Sequence, residues 1–418
     1  MEVRFLSGTL RMLRFFLDLL LRSAFSKRYF TDLLQYISSY FIAGRKFEEG
    51  IRKNSSLQTT KIKNLQLAKE LEEACKKNGG FLTYSEYLFI EQFGTHGYHA
   101  SHKRFGKTEV DKYWGEALVV LCKQLELENI VEFGAGDGSL GVKFLKHAKK
   151  YKLNVKWTGI EINERLQQLI RTRMQKAFQP EKWSVVTNIS DYTFTKPSLI
   201  IFPYMLDNIP PEMFIVQKEN VSYPSALMGV EVHEGILTEK ILTNKDLSKR
   251  NSSFEQGIFT DKFGRKYDLR SITLHQNQRI FLPVNTFTFL NQIQKHVLPG
   301  SQILIIDEFR TFPLKRIADH LFPPKDLLTF TRSRDDLLRA YAEAGETLLY
   351  YPLCLPWIED YFLSVHVPIK TFDIEHKMAT ELLGKRWKEK ASWTRALLTA
   401  RILSSSSAKP VRFSSPSF

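Results

Sequence analysis

The sequence predicts an α/β fold: a doubly wound, Rossmann-like parallel sheet preceded by a helical region and interrupted by a β-rich insertion. Three observations predict it. From about residue 113, apolar strand-like runs alternate with amphipathic helical runs, the pattern of a parallel sheet covered by helices. A glycine-rich turn, "NIVEFGAGDGSLG" at 129–141, follows the first of those strands. The alternation then breaks at 211–285, where apolar and polar residues alternate singly between turn formers, as antiparallel strands require.

Taken in order, residues 1–78 read as helical, with "LQLAKELEEACKK" the clearest segment and "NGG" at 78–80 its stop signal. "FLTYSEYLFIEQF" reads as a helix capped at Thr83, with Glu86 three residues later completing a capping box. "YWGEALVVLCKQL" is a helix, "NIVEFG" the first buried strand and "SLGVKFLKHAKKY" the helix after the glycine turn. "NVKWTGIEI", "WSVVTNI" and "PSLIIFPYM" supply strands two to four. After the insertion, "NTFTFLNQIQKHVLPG" is a helix and "QILIID" the fifth strand, with a further helix in "RDDLLRAYAEAG". "TLLYYPL" and "DYFLSVHVPI" read as the last two strands. The expected organisation is a helical region at 1–78, a first α/β part at 79–210, the insertion at 211–285, a second α/β part at 286–370, and a C-terminal helix with a disordered, serine-rich tail at 371–418.

Composition narrows the class. The chain has 418 residues, of which 43% are hydrophobic and 25% charged, ordinary for a globular protein. Its three cysteines, Cys75, Cys122 and Cys354, are far apart and form no C-x-x-C, which argues against a disulfide framework or a cysteine zinc site. The net charge of +15 keeps nucleic acid open as a partner, although the lysines are dispersed rather than interleaved with aromatics. The first thirty residues form a basic amphipathic pattern, with Arg11, Arg14, Asp18 and Arg22 on one stripe. That pattern fits a helix docked on the body of the protein, peripheral membrane contact or an organelle presequence. Glu2 and Asp18 weigh against the presequence, so a cytoplasmic location is expected, with the mitochondrial matrix the alternative. His96, His99 and His102 read as loop histidines, because Gly94 and Gly97 interrupt any helix that would align them, and no metal is expected there.

The glycine turn carries the site. "GDGSLG" fits G-x-G-x-x-G at Gly136, Gly138 and Gly141, with Glu161 twenty residues on, the arrangement of a dinucleotide fingerprint. Glu132 and Asp137 oppose a diphosphate at that place, where two like charges ~4 Å apart repel by ~4 kcal/mol at intermediate dielectric. S-adenosyl-L-methionine carries a sulfonium and an ammonium instead, so Glu132, Gly134, Gly136, Asp137 and Gly138 favour that ligand. Glu161 is placed to accept both ribose hydroxyls. Asn188 and Ile189 are placed to flank the adenine, with Asp191 an alternative for the polar part.

The segments "EFGAGDGSL", "GIEINERL", "SLIIFPYMLDNIP" and "ILIIDEF" resemble the strand-end motifs of class I S-adenosylmethionine-dependent methyltransferases. More narrowly, residues 80–365 are similar to the MidA-type family, whose mitochondrial member is a protein-arginine methyltransferase needed for respiratory complex I assembly. The resemblance implies an upstream segment like "FLTYSEYLFIEQFGTHGYH" and a β-rich insertion between strands four and five. It also implies a methyltransferase acting on a protein side-chain nitrogen. Two features depart from the family. The region before the glycine turn is shortened to "KTEVDKYWGE". In the family's Asn-Glu-x-x-Asp-x-x-Pro segment, Asp207 and Pro210 remain but the Asn-Glu pair is absent. Asp207 is the first candidate to hold the acceptor and take its proton, and Glu308 at the end of the fifth strand the second. A methyltransferase for nucleic acid or a small molecule, and an assembly factor that keeps the cofactor fold with weak catalysis, are the alternatives.

Overall fold

The computed structural model describes residues 57–101, 113–217, 221, 223–270, 279–310, 340–346, 353–372, 378, 381–384, 394–399, 401–402 and 411–412. The amphipathic N-terminal segment, His102, the first half of "RDDLLRAYAEAG" and most of the serine-rich tail lie outside these residues.

The described residues begin with β1 (Thr59–Lys61), α1 (Leu65–Lys77), β2 (Leu82–Thr83), α2 (Tyr84–Phe93) and the short α3 (Tyr98–Ser101). Residues 59–61, expected as helix, are therefore a strand; they pair with a later strand 175 residues or more along the chain, a partner that local periodicity does not reveal. The α/β part follows: α4 (Trp114–Leu125), β3 (Asn129–Phe133), α5 (Ser139–Lys150), β4 (Lys156–Ile160), α6 (Glu164–Ala177), β5 (Trp183–Val186) and β6 (Ser198–Pro203). Between β6 and the next α/β helix come β7 (Glu212–Ile215), β8 (Ala226–His233), β9 (Ile236–Leu242), α7 (Asn244–Ser248), β10 (Ser253–Glu255), β11 (Ile258–Thr260), β12 (Lys266–Asp268) and β13 (Arg279–Leu282). The α/β pattern resumes with α8 (Val284–His296) and β14 (Gln302–Arg310), then β15 (Leu353–Cys354), α9 (Leu355–Ser364), β16 (Ile369–Phe372), β17 (Thr394–Thr399) and β18 (Val411–Arg412).

The main sheet has the order β16-β17-β14-β6-β3-β4-β5, with β15 beside the end of β14. The five strands from β14 to β5 are mutually parallel, and β17 is inserted antiparallel between β14 and β16. Alternate residues of the central strands enter opposite layers. Val131, Phe133, Ile200, Phe202, Ile303 and Ile305 pack under α8, α9 and strands of the insertion. Ile130, Leu199, Ile201, Leu304 and Ile306 pack under α4, α5 and α6. A second, antiparallel sheet, β1-β9-β8-β7-β13 with β2 also on β8, carries α1 and α2. A third, β10-β11-β12-β18, is small.

Two expectations for the C-terminal part are corrected. "DYFLSVHVPI" begins inside α9 rather than forming a strand. Trp357, Ile358, Tyr361, Phe362 and Val365 are buried while Leu363 is exposed, the spacing of a helix face and not a two-residue alternation. The segment 371–418, expected as helix and tail, contains β17, whose Arg395–Leu398 lie opposite Leu304–Asp307 inside the main sheet. Helical residues do occur at 378 and 381–383, before it.

At the start of α2 the sequence signal holds. The Thr83 hydroxyl accepts the Glu86 amide at 3.3 Å and the Glu86 carboxylate accepts the Thr83 amide at 2.9 Å. Glu212, the first residue of β7, joins this cap by accepting the Ser85 amide at 3.3 Å, the Thr83 hydroxyl at 3.3 Å and the Ser85 hydroxyl. Burial pushes the Glu212 carboxyl up to about 7; hydrogen bonds from Ser85 oppose the rise and the nearby Glu86 charge adds to it. Below the ordinary 4.5 the carboxyl is protonated in folded and unfolded chains alike, and its contribution is fully present. Between 4.5 and about 7 the unfolded chain gives up a proton that the folded chain keeps, so the contribution is lost as pH rises through about 7. Its whole size is on the order of 3 kcal/mol. Urea denaturation of the wild type and Glu212→Gln at pH 5 and pH 8 should show the wild type losing stability relative to the variant. Parallel profiles would mean that Glu212 does not titrate in this window.

Candidate active site

In the main sheet the strand order reverses beside β3: β4 and β5 lie on one side, β6 and β14 on the other. Ligands of open α/β sheets bind outside the carboxyl ends of the strands at such a switch point. The turn from β3 to α5 lies there. Gly134, Gly136 and Gly138 have φ of +64°, +56° and +73°, where a side chain would strain the backbone. Their surroundings differ. A Cβ on Gly134 would come within 2.9 Å of Met205 Cγ, so this turn and the one after β6 meet closely. A Cβ on Gly136 would find nothing nearer than 3.9 Å, so a face of the turn is open. Gly141 serves packing: a Cβ there would lie 2.4 Å from the Trp157 ring.

The two turn acids are not both free to face a cation, which corrects the electrostatic expectation for them. Glu132 is only 2% exposed, and its carboxylate accepts Trp157 Nε1 at 2.8 Å. It braces β3 against β4 beneath the turn. Asp137 pairs with Arg173 of α6 at 2.6 Å and accepts the Ser139 amide at 3.0 Å. Burial raises its pKa, but hydrogen bonds from Ser139 and Arg173 outweigh that and hold the carboxyl below its ordinary value. Arg173 also donates to the Asp137 carbonyl at 2.8 Å and the Ser139 hydroxyl at 3.1 Å, so α6 clamps the turn. An arginine 36 positions after its partner has no local signature in the sequence.

Glu161 stands where the spacing put it, one residue past β4. It is 7% exposed, and its two oxygens accept the Gly136 amide at 2.8 Å and the Asn163 amide at 3.0 Å. Burial pushes its carboxyl up, while the bonds from Asn163 and Gly136 pull it down. A carboxylate has about four acceptor sites, so two backbone donors leave capacity for hydroxyls. Gln167, unremarked in the sequence, donates to the Glu161 carbonyl at 2.7 Å and the Thr187 hydroxyl at 3.2 Å, tying the ends of β4 and β5 together. Asn188 and Asp191 cap each other across a 3-10 turn at Ile189–Asp191, and Ile189 packs partly against the core. Asn188 is exposed at the end of β5.

At the end of β6 the chain turns sharply. Tyr204 has φ of +51°, uncommon for an aromatic residue, and its amide donates to Ile306 O at 2.7 Å. A 3-10 turn at Leu206–Asn208 follows. Asp307 of β14 accepts the amides of Leu206 at 2.8 Å and Asp207 at 3.2 Å, and so fixes that turn. Asp207 is 5% exposed and accepts Asn208 Nδ2 at 2.6 Å. Glu308 follows Asp307 on β14, with its backbone opposite Thr394; its side chain lies outside the described residues. Asp307 was missed beside it, although an acid ending "ILIID" was the one available signal.

This parallel sheet, with a reversed strand next to its last one and a glycine turn at its switch point, defines a Rossmann-like nucleotide-cofactor enzyme. Residues 115–311 match the family model described as "Putative S-adenosyl-L-methionine-dependent methyltransferase". Two crystal structures from Burkholderia thailandensis, one of an uncharacterized protein in native form and one with S-adenosyl-homocysteine bound, share the fold. Each is 12% identical, has a TM-score of 0.56, and is aligned over 81% of this chain and 92% of its own. No curated protein matches the chain. Over the matched residues, which hold the glycine turn and the parallel strands β3 to β6 and β14, the chain carries a divergent class I S-adenosylmethionine-dependent methyltransferase domain. The residues present fit that cofactor: the open face over Gly136 admits it, and the carboxylate of Glu161 has acceptor capacity for its ribose.

Proposed function

We propose that this enzyme methylates a side-chain nitrogen of a protein, with Asp207 receiving the acceptor. The observation that carries this reading is the buried Asp207 carboxylate, on the turn after β6 that Asp307 holds by two backbone bonds. The MidA-type resemblance supports the same acceptor class. The cofactor supplies an electrophilic methyl group; the chain supplies position and field. The nitrogen must approach opposite the departing sulfur. Asp207 accepts one of its N–H bonds and takes the proton released as the N–C bond forms. Glu308 is the second candidate for that proton.

A transfer assay with a tritiated methyl donor on cell lysate, fractionated into protein and RNA, tests the acceptor. Label in protein, recovered as N-methylated side chains after hydrolysis, is expected. Label confined to RNA or small molecules would replace the acceptor class. The absence of the family's Asn-Glu pair before Asp207 favours a second reading, an assembly factor with weak catalysis. That reading predicts cofactor binding without transferred label.

A further inference from the structure

The turn between β11 and β12 contains a buried cation, Arg265, whose guanidinium forms no salt bridge among the described residues. Arg265 is 9% exposed, and among the described residues its Nε and Nη2 meet no acceptor. Its guanidinium instead lies over the ring of Tyr361 on α9, with Cζ 5.0 Å from the centroid. That ring is stacked on Phe287 of α8 at 5.4 Å and 14°, so the platform is fixed from behind. The acid nearest in sequence is committed elsewhere. Asp261 accepts the amides of Phe263 and Arg265 at 2.9 Å each, the Tyr267 hydroxyl at 3.1 Å and the Thr288 hydroxyl at 2.6 Å. Four donors fill its acceptor sites and keep it on the turn backbone.

The two unmet donors are not an arbitrary pair. Nε–H and Nη2–H project in parallel from one edge of the planar guanidinium, the edge that grips a carboxylate or phosphate through two hydrogen bonds. An aromatic platform beneath and a rigid turn beside it hold that edge in place before any ligand arrives. A buried, unpaired charge is unfavourable, and an oxyanion on this edge would relieve it. We propose that Arg265 forms an oxyanion site, separate from the methyl-donor crevice, for the carboxylate or phosphate group of a small ligand. The site belongs to the small β10-β11-β12-β18 sheet, and nothing in the methyl-transfer chemistry requires it.

Thermal unfolding of the full chain tests this without turnover. Sodium phosphate and sodium succinate are titrated at constant ionic strength, balanced with sodium chloride. One of the two should raise the wild-type Tm saturably, by about 2–4 °C, and which one does so separates phosphate from carboxylate. Arg265→Gln should abolish the response. It should equal or exceed wild-type stability in sodium chloride alone and fall below it at saturation, so the two curves cross. Arg265→Lys keeps the charge without the paired edge, and should respond at least about tenfold more weakly. If Arg265→Gln does not fold, hydrogen exchange of wild-type residues 261–268 should slow with the effective anion. Responses no larger than that to chloride, or an equal rise in Arg265→Gln, would overturn the proposal. So would unchanged exchange in the wild type.

Discussion

Asp207→Asn is expected to lower kcat by about 10²- to 10⁴-fold, the usual range for removing a group that takes the proton in the transition state. Affinity for S-adenosylmethionine, read by calorimetry, should stay within about twofold. The substitution keeps the size of the side chain, so the hydrogen bond from Asn208 to its oxygen can persist and the turn held by Asp307 is undisturbed. What disappears is the negative charge and the basic oxygen. If the role assigned to Asp207 holds, kcat and kcat/KM fall together, because the lost interaction strengthens only as the nitrogen becomes cationic. A raised KM with unchanged kcat would make Asp207 a binding residue. Lost cofactor affinity with intact turnover would remove it from the chemistry and leave Glu308 as the candidate.

Trp157→Ala should destabilise the fold by about 3–5 kcal/mol, measured by urea denaturation. Trp157 is fully buried, and three separate features depend on it. Its indole donates to the buried Glu132. Its ring occupies the space that a Cβ on Gly141 or Gly159 would enter, at 2.4 Å in both cases, so neither glycine can fill the void that alanine leaves. The substitution therefore removes packing between α5 and β4 and one donor from a buried carboxylate. Trp157→Phe separates the two effects. It keeps most of the ring but not the N–H, and should cost about 1–3 kcal/mol. Because Glu132 and Gly141 bracket the glycine turn, both variants should also weaken cofactor binding. Full stability in Trp157→Phe would mean that Glu132 is satisfied without the indole.

The legible parts of the site share one property: each is written within a few residues or at a fixed spacing. The φ-positive glycines of the β3–α5 turn, Glu161 at the tip of the next strand and the Thr83–Glu86 cap are local demands of the backbone, and local residues meet them. The charge of the site was read less well. Glu132 and Asp137 looked like open carboxylates because their partners, Trp157 and Arg173, lie 25 and 36 positions away. Asp307 reaches the turn of Asp207 across 100 residues. A side chain's charge can be read from the chain, but its neutralisation cannot.

By itself, the sequence determined the alternating strands and helices, the glycine turn, the acid beside it at Glu161 and the helix cap at Thr83. Periodicity, backbone freedom and hydrogen-bond reach act over one or two turns of chain, and they suffice for these. Tertiary structure alone decided that "TRALLT" at Thr394–Thr399 enters the main sheet, that Tyr361 and Phe362 lie on a helix, and that Arg173, Trp157 and Asp307 position the site. Each of those outcomes depends on which distant surface remains to be covered or which distant polar group remains to be paired, and that is settled only once the chain has closed on itself.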